Sequence, residues 1–219
     1  MTKAGSQFNA HYNGKEYKAE LFIPGIFNIE NFFAAAIAVS KITEIDIAEV
    51  ISLSKSLKSV TGRMDNVDMG QNFTVIVDYA HTPGAFKKIF PMIKKSVKRK
   101  LISVFGSAGE RDIEKRAEQG KIASEYSDII ILTDEDPRGE EQLAIINQIA
   151  AGIRSGFDSA SVYKICDRQQ AINKAIEIAQ PGDTILLLGK GHEGSIIYKD
   201  KKIPWNEREA AIKALQEKH

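Results

Sequence analysis

"KLISVFGSAGERDIEKRAEQGKIASEYSDIIILTDEDPRGE", residues 100–140, holds two apolar runs, 101–105 and 129–132, on either side of a helix-forming stretch, 114–127. Neither run alternates apolar with polar residues. A continuous apolar run is how a strand covered on both faces reads, which is the mark of a parallel sheet between two layers of helix. Each run also ends in a polar segment, "GSAGERD" (106–112) and "TDEDPRGE" (133–140).

The same alternation extends in both directions. Upstream lie the strand "FTVIVDY" (73–79) and the helix "GAFKKIFPMIKKSV" (84–97). Downstream come helix 140–154, strand "SVYKIC" (161–166), helix 168–179 and strand "DTILLLG" (183–189), then a hairpin at 195–205 and a closing helix at 206–216. This predicts a doubly wound α/β domain with a mostly parallel sheet, in which ligands collect beyond the carboxyl ends of the strands. Three further segments fall there: "DYAHTP" (78–83), "CDRQQ" (166–170) and "GKGHEG" (189–194).

The first 60 or so residues read differently. "FNAHYNGKEYKAELF" (8–22) is a hairpin turning on Asn13-Gly14, a dipeptide that favours positive φ angles. After Pro24-Gly25 an apolar helix runs from Asn28 to Ile42, and Asp46 caps a second helix carrying Ile47, Val50, Ile51 and Leu57. A hairpin and two helices with strongly apolar faces imply a small partial domain that needs a larger body.

Composition narrows the function. With 27% charged residues and a formal net charge of +1 over 219 residues, no bulk field points to nucleic acid or an anionic membrane. The lysines of "KKSVKRK" (94–100) read as the cationic last turn of a helix, with no aromatic residues between them to stack bases. The single cysteine, Cys166, reads as a buried small hydrophobe in a reducing compartment, so the cytoplasm is expected. No apolar stretch approaches the roughly 20 residues that span a bilayer, and the polar start lacks the features of a signal peptide. Trp205 reads as a core anchor, and His11 and His219 as incidental.

No segment at the strand ends is a complete phosphate cradle. "GKGHEG" lacks the spacing and the hydroxyl of G-x-x-x-x-G-K-[ST], and "GSAGERD" is not G-x-G-x-x-G. By charge, the edge offers Arg111, Arg116, Arg138 and Lys190 with Asp78, Asp112, Glu135, Asp136 and Glu193. An arginine fork grips a carboxylate and a glutamate holds an ammonium, so the mixture suits a zwitterion such as an amino acid. The competing reading is that these charges pair with one another around the loops. His81 and His192 also lie at the edge, as loop organisers or catalytic groups. No set of residues has metal-ligand spacing, so no metal site is expected.

"GIFNIENFFAAAIA", "VTGRMDNV", "VDYAHTPGAF", "VFGSAGERDIEKR", "TDEDPRGE" and "LLGKGHEG" together resemble, in order, the later half of the Mur ligases, and most closely the MurE type. The resemblance covers essentially the whole chain. It implies residues 1–62 as the tail of a central ATPase domain and 63–219 as a Rossmann-like domain that delivers an amino acid. The UDP-sugar domain, the phosphate loop, the acid that holds Mg²⁺ and the modified lysine of such ligases have no counterpart here. The implied reaction is peptidoglycan synthesis: ATP activates the D-glutamate carboxylate of a UDP-muramoyl dipeptide as an acyl phosphate, and the amine of a diamino acid attacks it.

Carried over residue by residue, the resemblance implies Asn28 and Asn31 near adenine, Arg63 at the nucleotide and Asp78 in its ribose region, with His81 also at ATP. Arg116, Glu135, Asp136, Arg138, Gly189 and Glu193 are similar to the residues that hold the amino acid. No catalytic residue is assigned to the chain, which is expected to act as a monomer, inactive alone, with ATP and Mg²⁺ held mainly by parts it lacks. One departure concerns the ligand: diaminopimelate-adding members carry Asp-Asn-Pro-Arg, where this chain has Glu135-Asp136-Pro137-Arg138. Arg138 favours a second carboxylate on the ligand and the charge of Asp136 opposes it, leaving meso-diaminopimelate and L-lysine both open. Other readings are a non-catalytic module for nucleotide or amino acid, the second half of a folylpolyglutamate- or cyanophycin-type ligase, and a domain without activity.

Overall fold

Asn13 and Gly14 take φ angles of 49° and 75°, the left-handed conformation that a tight hairpin turn requires. They join β1 (Ser6–Tyr12) to an antiparallel β2 (Lys15–Leu21), with Tyr12 opposite Lys15. The computed structural model of the chain describes residues 5–23, 25–57 and 60–218; Pro24, His219 and the polar start at 1–4 lie outside the described residues. The chain folds as two compact units, Met1–Val60 and Thr61–His219.

In the first unit, α1 (Ile26–Thr43) is followed by α2 (Ile47–Ser52) and a short 3₁₀ turn, Leu53–Ser56. Asp46 caps α2, its Oδ1 accepting the Ala48 N–H at 2.7 Å. Leu21, Ile23, Phe32, Ala36, Ile47, Val50 and Ile51 form a small core. Large apolar side chains outside it stay in the open, among them Ile26, Ile42 (82% exposed) and Leu53. Contrary to the expectation from sequence, α1 is long and apolar enough, by length and composition, to cross a membrane. Asn28, Glu30 and Asn31 near its start are groups that a bilayer would have to desolvate at a cost of several kcal/mol.

The second unit is built on a six-stranded sheet in the order β3-β4-β8-β5-β6-β7. Its strands are β3 (Asp65–Asn66), β4 (Thr74–Asp78), β5 (Leu101–Phe105), β6 (Ile129–Leu132), β7 (Val162–Lys164) and β8 (Thr184–Leu188). Only β3 runs antiparallel to its neighbour. It is two residues long, too short to leave a pattern in the sequence. Every residue of β5 and β8 is buried, each large apolar one removing about 1.5–3 kcal/mol worth of surface from water.

The helices are α3 (Pro83–Lys94), α4 (Glu114–Tyr126), α5 (Gln142–Ala150), α6 (Arg168–Ile178) and α7 (Glu207–Glu217), with a separate hairpin of β9 (Ser195–Ile197) and β10 (Lys202–Pro204). Ala171, Ile172 and Ala175 of α6 and Ala211 and Leu215 of α7 pack on Val75, Val77, Val104 and Leu187. The opposite face carries Phe105, whose ring centroid lies 5.2 Å from that of Phe86 in α3. The sheet is thus covered on both sides, as the continuous apolar strands require. α3 ends at Lys94, so Lys95–Lys100 lie in turns beyond the helix rather than in its last turn. Trp205 packs at the edge of the core and donates its Nε1–H to Glu207 at 2.6 Å.

Register decides where the chemistry can sit. Asp78 is level with Leu188, Val104 with Leu187 and Phe105 with Leu132. The loops that begin at 79, 106, 133 and 189 therefore leave the sheet from one edge.

Candidate functional site

At this edge the loop after β6 carries three consecutive buried carboxylates, Asp134, Glu135 and Asp136, followed by half-buried Arg138 at a φ of 52°. The loop is gripped at both ends. Arg168, at the start of α6 and wholly buried, donates from Nη1 to the Asp134 carbonyl and from Nη2 to the Leu188 carbonyl, both at 2.7 Å. Its remaining donors form a two-pronged ion pair with buried Glu207. At the far end, Arg116 of α4 donates to both oxygens of Glu140, to Gln148 and to the Ala108 carbonyl. The Arg116 hydrogen bonds, with that of the Glu110 N–H behind them, hold the Glu140 carboxyl down at about 2.

The loop after β8 is tied to this one by a single ammonium. Lys190 Nζ, with no solvent exposure, lies 2.9 Å from Asp136 Oδ1 and 2.6 Å from Glu193 Oε2. Asp136 Oδ1 also accepts the Ile197 N–H at 2.8 Å. The charge of Asp136 is therefore spent inside the protein, and the repulsion of a ligand carboxylate that its sequence position suggested is largely cancelled. Arg138 differs: its guanidinium makes no ion pair among the described residues, and its buried Nε has no partner.

Tyr79 links the rim to the loop after β4. Its hydroxyl donates to Glu193 Oε1 at 3.2 Å, and its ring lies 4.6 Å from that of His81 and 4.7 Å from that of His192. The Arg63 guanidinium stands 4.8 Å from the same ring. A Cβ on Gly191 would sit 2.6 Å from Tyr79 Cβ and 2.8 Å from the Gly62 carbonyl oxygen, so this glycine is required by the packing of protein on protein. Asp78 beneath accepts the Met64 and Ala80 N–H groups, one on each oxygen at 2.8 Å. Burial still lifts its pKa above the ordinary carboxylate value.

Glu135 is the outlier of the rim. Burial raises its pKa to about 7, against the pull of Lys115, Arg168 and Lys190. Its Oε2 has no hydrogen-bond partner, and a Cβ on Gly189 would lie 2.9 Å from that oxygen. Burial also raises Asp134 to about 6, although Tyr198 and Gln142 donate to it. Buried polar atoms without partners gather in the same region: Ser107 Oγ, Arg116 Nε, Gln119 Oε1, Glu135 Oε2 and Arg138 Nε. Such atoms are rare in folded proteins, where protein groups or ordered water normally satisfy them.

Of the residues anticipated from sequence, Glu135, Asp136 and Arg138 share one loop, and Lys190 joins that loop to Gly189 and Glu193. Tyr79 brings Asp78, His81 and Arg63 beside them. Arg116 belongs to the scaffold of the rim, with only Nε uncommitted. Asn28, half-buried, and Asn31, exposed, lie on α1 in the first unit. Cys166 is half-buried, less covered than expected, and its carbonyl accepts the Asp134 N–H. Among the described residues no group of three or more His, Cys, Asp and Glu could hold a metal ion. Sequence reasoning missed the organising roles of Arg168 and Tyr79; the only signal was their place within strand-end segments.

Residues 62–191 match the family described as Mur ligase, glutamate ligase domain. The chain is 52% identical over 210 residues to a UDP-N-acetylmuramyl-tripeptide synthetase of Borreliella burgdorferi, covering 96% of this chain and 41% of that protein. It is 50% identical over 204 residues to the enzyme of that name from Treponema denticola, covering 92% and 38%. A solved structure of a UDP-N-acetylmuramoyl-L-alanyl-D-glutamate–2,6-diaminopimelate ligase superposes with a TM-score of 0.69 at 31% identity, over 99% of this chain and 44% of that one. The chain thus spans about two fifths of the length of the relatives it matches.

Proposed function

From the premise that this chain belongs to the Mur ligase family, we propose that it is the amino-acid-delivering part of a tripeptide synthetase of the MurE type. The whole enzyme is an ATP-dependent amide ligase that adds a diamino acid, meso-diaminopimelate or L-lysine, to UDP-N-acetylmuramoyl-L-alanyl-D-glutamate in peptidoglycan synthesis. It works in the cytoplasm as a monomer, with no nucleic-acid or membrane partner. Residues 63–219 hold the amino acid and residues 1–62 belong to the ATPase domain, a boundary two residues beyond the division of the chain into compact units; the other part of that domain covers the exposed apolar side chains of α1. Within the second compact unit, residues 61–219, Arg63, Asp78 and His81 are assigned to ATP; within the first, residues 1–60, taken by itself, Asn28 and Asn31 are assigned to it as well.

The observation that carries the reading is the rim itself: one loop holds both a guanidinium without an ion pair among the described residues, Arg138, and a carboxylate with an uncommitted buried oxygen, Glu135. Arg138 takes a ligand carboxylate and Glu135 an ammonium, while Glu193 exchanges its bond to Lys190 or Tyr79 for one to the ligand. Positioning of this kind presents an amine for attack without any chemistry by the residues that hold it. The relatives are more than twice as long as this chain; Mg²⁺ and the nucleotide phosphates are assigned to the part that the chain does not span, and the chain alone is taken to be inactive. Calorimetric titration of the chain with L-lysine and with meso-diaminopimelate tests this. Binding of either, abolished by Arg138→Ala, is expected; ligase turnover by the chain alone, or no binding of either amino acid, overturns it.

A further inference from the structure

The geometry points to Arg168 as a positioning residue that sets the distance between the two segments of the amino-acid site, 135–138 and 189–193; this rests on the function proposed above. Arg168 touches neither segment's functional side chains. It holds the carbonyls of Asp134 and Leu188, the residues immediately before Glu135 and Gly189, each at 2.7 Å. One planar guanidinium therefore fixes two strand ends at once.

The arginine is itself fixed. Nε lies 2.9 Å from Glu207 Oε2 and Nη2 lies 2.6 Å from Glu207 Oε1, and Trp205 Nε1 donates to the same carboxylate. Glu207 opens α7, Arg168 opens α6, and both side chains are wholly buried. Two helix starts on one face of the sheet are thereby locked to two strand ends. The Arg116–Glu140 pair anchors the other end of the 133–140 loop, so the residues that face the ligand are suspended between two buried guanidiniums.

An ion pair kept only for stability is replaceable: neutralising both partners of a buried pair is often tolerated. The two carbonyl hydrogen bonds are what a neutral side chain cannot reproduce. A lysine at 168 keeps the charge but lacks the fork that spans two acceptors.

The test uses Arg168→Met/Glu207→Gln, which removes both charges and leaves Trp205 an acceptor, and Arg168→Lys, each in the full 219-residue chain. Amide hydrogen exchange is read at Gly109, Gly189 and Ile197 on the rim, and at Gly182 and Thr184 on the opposite edge of the sheet. Both variants are expected to exchange about tenfold faster at the rim amides with the opposite edge unchanged, and to bind the amino acid that the parent binds about tenfold more weakly. Arg99→Ala, which removes the partner of Asp183 at the opposite edge, is expected to lower thermal stability without either rim effect. Rim protection equal to the parent's, parent-like affinity, or full recovery of both by Arg168→Lys overturns the proposal. If the parent binds neither L-lysine nor meso-diaminopimelate, the functional reading fails, and the exchange comparison still decides whether Arg168 positions the rim.

Discussion

Lys190 Nζ lies 2.9 Å from Asp136 Oδ1, with the lysine side chain fully buried and that of the aspartate 10% exposed. The two residues come from loops 54 positions apart in the chain, and their contact closes the rim. Removing one partner of a buried pair strands the other charge, at a cost of about 3–5 kcal/mol. Lys190→Met is expected to lose stability in that range in urea denaturation, because Asp136 is left with only the Ile197 N–H. Lys190→Met/Asp136→Asn should recover most of the loss; a double variant as unstable as the single one would show that the pair is not what Lys190 contributes.

Arg116 and Arg138 look equivalent in sequence and separate in the structure. Arg116 is wholly buried with its terminal nitrogens committed to Glu140, Gln148 and Ala108. Arg116→Ala is therefore a stability variant: leaving the Ala108 carbonyl without its donor and Glu140 with only the Glu110 N–H should cost about 2–4 kcal/mol. Arg138→Ala should leave stability within about 1 kcal/mol and abolish amino-acid binding. Thermal melts and calorimetry on both variants check the contrast, which fails if Arg138→Ala unfolds the chain or Arg116→Ala leaves its stability unchanged.

The strands were legible because β5, β6 and β8 are buried on both faces and so spell continuous apolar runs, while the hairpin turn was legible in Asn13-Gly14. Strand order was not, since nothing local in β8 states that it inserts between β4 and β5. Nor was the end of α3, where the lysines continue past the last helical turn. At the site, the loops could be found from polar residues following apolar strands. Which charges were free could not: Arg116 and Arg138, or Asp136 and Glu135, differ only in what folding brings against them. Lys190 meets Asp136 and Arg168 meets Glu207 across long stretches of chain.

Gly189 takes a φ of 103°, where an L side chain is strained, and an added Cβ would lie 2.9 Å from Glu135 Oε2. Gly189→Ala is expected to cost more than about 1 kcal/mol in stability from the backbone alone. It should also push the Glu135 carboxylate aside and weaken amino-acid binding. Gly194→Ala in the same loop, where an added Cβ meets nothing within 4 Å, is the control and should change neither.

Glu135 gives the fold a dependence on pH opposite in sign to that of an ordinary salt-bridged carboxylate. Burial raises its pKa in the folded chain to about 7 from 4.5, so between these values the folded state holds a proton that the unfolded state has released. Stability is then greatest below the unfolded value and falls as pH rises through the folded one, levelling off above it. The fall attributable to Glu135 is about 3 kcal/mol, and Asp134, raised to about 6, adds to it in the same direction. Urea denaturation at pH 5 and pH 8 should show the parent less stable at the higher pH. Glu135→Gln, which cannot ionise, should remove most of the difference; a slope unchanged in that variant would assign the titration to another group.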